Sequence, residues 1–149
     1  MKRILTLTCL LLFPFLMIGQ IYVDDSATGN NDGSSWANAY TDLQSALSLT
    51  SSSEIWVAEG TYQPTLQDTF IYFSFGTAHT VYGGFNGTET QASQRDPDTY
   101  VSMIDGDING DDTVADFEIN RADNATHLFY VSEGLPITTI DGFTFSGGS

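Results

Sequence analysis

The sequence predicts an all-β fold, a parallel β-solenoid entered through one amphipathic helix. Three observations carry that expectation. Beyond residue 53 the chain is a series of short runs of β-branched and aromatic residues bounded by Gly, Asn and Asp. These runs recur at a near-regular pitch: Trp56 to Tyr82 is 26 residues, Tyr82 to Ile104 is 22, and Ile104 to Phe129 is 25. Strand-plus-turn units that must stack on a neighbour to bury their inward side chains leave such a spacing. Finally, a single stretch has helical periodicity. The competing all-β architecture is a β-sandwich, whose turns come every ~8–12 residues.

The first 20 residues have the layout of a secretory leader. Lys2 and Arg3 open it, an apolar run extends from Ile4 to Ile18, and Gly19 is a small residue at a cleavage point. The run is 15 residues long, shorter than the ~20 a membrane helix needs, and Pro14 interrupts it. Cys9 lies in mid-run, where no lipid-attachment cysteine would stand. The mature chain is therefore expected outside the cell or on its outer surface, with no transmembrane span.

The whole chain has a net charge of −15, and loss of the leader leaves Arg95 and Arg121 against 19 acids, or −17, with no lysine and no cysteine. So acidic a surface excludes nucleic acid and anionic membranes as partners, because both require basic patches. Disulfides are excluded too, so stability must come from burial, a metal or further chain. Aromatic residues make up 13% of the chain, too many for a disordered acidic tail.

Along the mature chain, Ile21-Tyr22-Val23 is a first strand and Asp24 to Ser35 is rich in turn residues. Trp36, Tyr40, Leu43 and Leu47 then fall on one face of a helix. Thr41 with Gln44 reads as its capping box, and Thr50 to Ser53 end it. Strands follow at Ile55–Ala58 running into Glu59–Tyr62, at Phe70–Phe75, Thr80–Phe85, Met103-Ile104, Leu128–Val131 and Ile137–Phe145. A helix with a Trp/Tyr/Leu stripe would cover the exposed strand edges at the open end of a solenoid. The chain stops at Gly147-Gly148-Ser149 with no second cap, as the N-terminal piece of a longer protein would. The uncovered end predicts self-association.

Several of these residues fit a known pattern. Asp42-Leu43-Gln44 with Ala46-Leu47, Ile55-Trp56-Val57-Ala58-Glu59-Gly60-Thr61-Tyr62 with Pro64, Val81-Tyr82-Gly83-Gly84-Phe85 with Gly87 and Glu89, Arg95-Asp96 and Asp105-Gly106-Asp107 occur in that order. The chain thereby resembles secreted bacterial right-handed parallel β-helix proteins of the pectin-lyase-like superfamily, similar in style to polymorphic outer membrane proteins. Ile140 to Gly148 resembles a first regular rung. After the leader over 1–20, the resemblance implies a cap with its amphipathic helix over 21–53 and the first coils over 54–149, cut short at the C-terminus. It implies a cell-surface scaffold or adhesin meeting carbohydrate or other surface ligands. The alternative it implies is the N-terminal part of an extracellular polysaccharide lyase or glycoside hydrolase with its active site on later coils.

The Asp-rich stretch 105–118 is the chemical candidate. A calcium loop places oxygen ligands on alternate residues so that one turn of chain wraps a hard cation. Counted from Asp107, ligand positions 1, 3 and 5 are Asp107, Asn109 and Asp111, with Val114 eighth and Glu118 twelfth, but Asp112 stands where the sharp turn wants Gly. Counted from Asp105, Gly110 takes the turn, while Asp112 and Asp116 fall eighth and twelfth. Asp105, Asp107, Asn109 and Asp111 are thus the candidate calcium ligands. The competing reading is a solvated insertion whose Asp, Asn and Gly serve turn geometry. No catalytic constellation emerges. Gly110-Asp111-Asp112 matches one aspartate motif of polygalacturonase-type hydrolases without its companions. Arg95 and Arg121 are the only basic side chains for lyase-type proton abstraction, and Arg95 reads as a structural partner of a carboxylate. His79 and His127 stand alone.

Overall fold

Four aliphatic side chains in one ladder organise the main sheet of this computed structural model: Ile21, Ile55, Val81 and Ile140 are successive register partners. They belong to β1 (Gln20–Val23), β2 (Glu54–Ala58), β7 (Thr80–Phe85) and β10 (Thr139–Asp141), paired in the order β1-β2-β7-β10, all parallel. A second parallel sheet joins β3 (Gly60–Tyr62), β8 (Ser102–Asp105) and β11 (Phe143–Ser146). A third joins β6 (Phe73–Ser74) to β9 (Phe129–Tyr130), also parallel, and a small antiparallel pair joins β4 (Leu66–Gln67) to β5 (Phe70–Ile71). The structure describes residues 19–67, 70–113, 119–136 and 138–147, with backbone alone at 66, 67 and 70. The leader expected over 1–20 lies outside them as far as residue 18. Gln20 already pairs with Glu54, so a cut after Gly19 would leave β1 whole.

The molecule is therefore all-β, mostly strands in parallel sheets. β2 turns into β3, β7 leads to β8 through 86–101, and β10 turns into β11 at Gly142 (φ 79°). Each pair passes from the first sheet to the second. The core lies between the three parallel sheets: Val23, Ile55 and Val81 from the first, Tyr62 and Ile104 from the second, and Phe73 from the third. Each such side chain contributes ~1.5–3 kcal/mol by leaving water.

Trp56 and Tyr82 are register partners, so the 26-residue interval is a true step between neighbouring strands. The other two intervals are not. Tyr82 meets Asp141, Ile104 meets Phe145, and Phe129 meets Phe73. The segments 86–101 and 106–128 insert chain between strands, and the side-chain faces select register partners whatever the sequence distance.

The opposite face of the first sheet is aromatic. Trp56 stacks on Phe85 at 4.6 Å between ring centroids, and Trp36 packs on Tyr22 and Phe85. A β-bulge makes the stack possible. Ala58 pairs with Phe85 rather than Gly84, so one extra residue of β7 returns Phe85 to the face of Trp56. Gly84 sits at φ 93° in that bulge, a backbone state that favours glycine. Ser102, fully buried, closes the gap. Its hydroxyl accepts from Gly84 N–H at 2.9 Å and donates toward the carbonyls of Val57 and Ala58 at 3.0 and 2.9 Å.

The helix is shorter than its periodicity suggests. α1 spans Leu43–Leu47, and its N-cap is Asp42, whose carboxylate accepts from the N–H groups of Gln44 and Ser45. Thr41 instead gives its N–H to the Asn31 side chain at 2.8 Å, and Trp36 stands in a separate 3-10 turn, Trp36–Asn38. Gln44 is drawn away from any capping box because its amide pairs with both backbone groups of Ser74, at 2.8 and 2.9 Å. The helix thus covers the outer edge of β6. The loop before it covers β1: Tyr22 N–H donates to Gly33 O, while Tyr40 exchanges backbone bonds with Tyr22 and Asp24. At the far side burial falls away. Tyr62 and Ile104 are 3% and 0% exposed, whereas Phe145, at the same ladder position in β11, is 52% exposed.

Candidate functional site

The excursion after β8 leaves and returns at one residue. Gly106 N–H donates to Ser146 O, and Gly106 O accepts from Ala125 N–H, both at 2.9 Å. Asp107 follows at once and is only 8% exposed. Its carboxylate accepts from the backbone N–H groups of Gly110 at 2.8 Å, Asp111 at 3.2 Å and Asp112 at 3.0 Å. These bonds, that of Asp112 foremost, hold it below the usual carboxylate range. The sharp turn falls on Gly110, at φ 68°.

The chain then brings a third acid back. One carboxylate oxygen each from Asp107, Asp111 and Asp123 lies within 4.8 Å of the others, the group among the described residues suited to a metal ion. Asp111 is pushed above the ordinary carboxylate value by partial desolvation and by the charges of Asp123, Asp107 and Asp112. Around the triad, Asn124 donates its amide to Asp112 at 2.9 Å, Arg121 faces the same carboxylate at 3.7 Å, and Asn120 donates to Asp111 O at 2.9 Å. Hard oxygen donors of this kind suit calcium or magnesium and offer no soft ligand for a transition metal.

Of the four residues singled out in the sequence, Asp107 and Asp111 come together. Asp105 ends β8, and its carboxylate accepts from Asp107 N–H at 3.2 Å. Asn109 is exposed. Positions Val114, Asp116 and Glu118 lie outside the described residues. Asp123 was not legible from alternate-residue spacing, because it stands 12 residues beyond Asp111 and meets it only after the chain returns to Gly106.

The remaining titratable candidates have structural partners. Arg95 forms an ion pair with Asp141 and lies over the Tyr82 ring, 4.6 Å from its centroid, so it ties β10 to β7. His79 is buried and accepts from Ser53 N–H at 3.3 Å through Nδ1. His127 is exposed beside Thr126.

No family model matches this chain, and neither a curated protein nor a solved structure matches it. What stands is a class: an all-β protein of parallel sheets carrying an acidic loop. No helix among the described residues is long and apolar enough to cross a membrane.

Proposed function

We propose that this chain is the N-terminal region of a secreted or cell-surface scaffold, a right-handed parallel β-helix whose role is adhesion or surface display. The observation that carries this reading is the inward ladder Tyr62–Ile104–Phe145, where burial is complete at the first two positions and 52% of the third is exposed. A half-exposed aromatic at the end of an otherwise buried ladder is an apolar face that another polypeptide surface can cover, while α1 covers the edge of β6 and the loop before it covers β1. Such a fold is extended by repetition and presents long side surfaces to other molecules. The strongly acidic surface fits carbohydrate or protein partners outside the cell rather than nucleic acid.

The test takes the purified chain over immobilised polysaccharides and whole-cell surfaces, with soluble oligosaccharides measured in the same wells. Retention without release of oligosaccharide is the expected outcome. Release of oligosaccharide would make the chain a depolymerising enzyme, and recovery of the native protein solely from the cytoplasmic fraction would remove the surface role.

A further inference from the structure

Among the described residues, the excursion after β8 carries buried oxygens without a hydrogen-bond donor. Asn124 is 5% exposed, and its Oδ1 is shielded from water with no hydrogen-bond donor. Its amide nitrogen is fixed on Asp112 Oδ2, and Asp112 N–H is in turn bonded to Asp107 Oδ2 at 3.0 Å. The Asn124 amide is therefore seated two hydrogen bonds from the triad. Asp112 Oδ1 and Asp123 Oδ2 are likewise shielded and without a donor. Buried acceptors normally find a donor or a cation, because leaving them bare costs their full desolvation.

We propose that Asp107, Asp111 and Asp123 bind one calcium ion, which holds residues 107–112 to residues 119–124 beside the ends of β8 and β11. Three oxygens within 4.8 Å of one another surround a point that calcium reaches at its ~2.3–2.6 Å bond lengths with little side-chain movement. Only oxygen donors are present, and calcium accepts irregular sets of them where magnesium demands a near-ideal octahedron. Asp107 stands at the exit of the excursion and Asp123 at its return, so the ion adds a charged link to the hydrogen bonds that already join the two arms at Gly106, Asp111 and Asp112. In a protein whose mature chain has no cysteine, a metal takes the stapling role that disulfides fill in other exported domains.

Calcium chloride is titrated into the full chain by calorimetry at fixed ionic strength, with magnesium chloride in parallel and thermal unfolding recorded in calcium and in chelator. One site per chain and a higher Tm in calcium than in chelator are expected. Asp123→Asn should weaken binding at least tenfold, while Asn109→Ala, outside the triad, should leave it unchanged. Should Asp123→Asn lose its native near-ultraviolet spectrum, Asp111→Asn carries the same comparison. Absence of binding heat in the wild type overturns the site, as does equal response to magnesium. Loss of binding in Asn109→Ala with retention in Asp123→Asn also overturns it, since the ligands would then follow the alternate-residue spacing of the loop.

Discussion

Replacing Ser102 by alanine should loosen the joint between the two larger sheets. The β7 bulge displaces Gly84 N–H from the ladder, and Ser102 Oγ is the acceptor it finds, at 2.9 Å in a fully buried position. The same hydroxyl donates its proton between Val57 O and Ala58 O. Ala58 O keeps a second donor in the Tyr62 hydroxyl at 3.1 Å, so alanine orphans chiefly Gly84 N–H and removes the bond to Val57 O. Leaving one buried backbone donor unmet costs ~1–3 kcal/mol. At a central ~2 kcal/mol, a domain of this size should melt roughly 6–8 °C lower. The assay is thermal unfolding followed by near-ultraviolet circular dichroism, with Thr61→Ala at an exposed position of β3 as control. A Ser102→Ala midpoint indistinguishable from wild type would mean that the bulge is satisfied by something other than this hydroxyl.

Two further outcomes follow from the same geometry. His79 is 2% exposed, and burial holds its pKa below the ordinary 6.5. The unfolded chain then takes the proton first, so this contribution to stability is whole above 6.5 and is lost progressively as pH falls from there through the lower folded value. Wild type should lose more stability than His79→Gln between neutral and mildly acidic pH, and parallel denaturation profiles for the two would refute the assignment. Gln44→Ala removes both bonds to the β6 edge and should cost ~1–3 kcal/mol. Hydrogen exchange at the Ser74 amide should accelerate, and unchanged protection there would show that Gln44 does not cover that edge.

What the sequence by itself determined is local. Thr80–Phe85 reads as a strand from its own residues and is one, and Ile55–Ala58 lies within β2. Asp107 and Asp111 were legible as candidate oxygen ligands because they are close neighbours in an Asp-rich turn. The Arg95–carboxylate pairing was legible in kind, though not its partner Asp141. Tertiary structure decided everything that joins distant chain. It divided Phe70–Phe75 between β5 and β6, in different sheets, and parted β10 from β11, since Gly142 at φ 79° turns one sheet into the next. It shortened the helix, because Asp42 outcompeted Thr41 as cap and Gln44 found better partners on Ser74. It paired Ile104 with Phe145 instead of Phe129, and it brought Asp123 to Asp107 and Asp111. The physical reason is the same in each case. Propensity and capping act over a few residues, whereas strand register and ligand convergence are set by which faces can be buried together and which backbone groups can be paired once the chain has folded back.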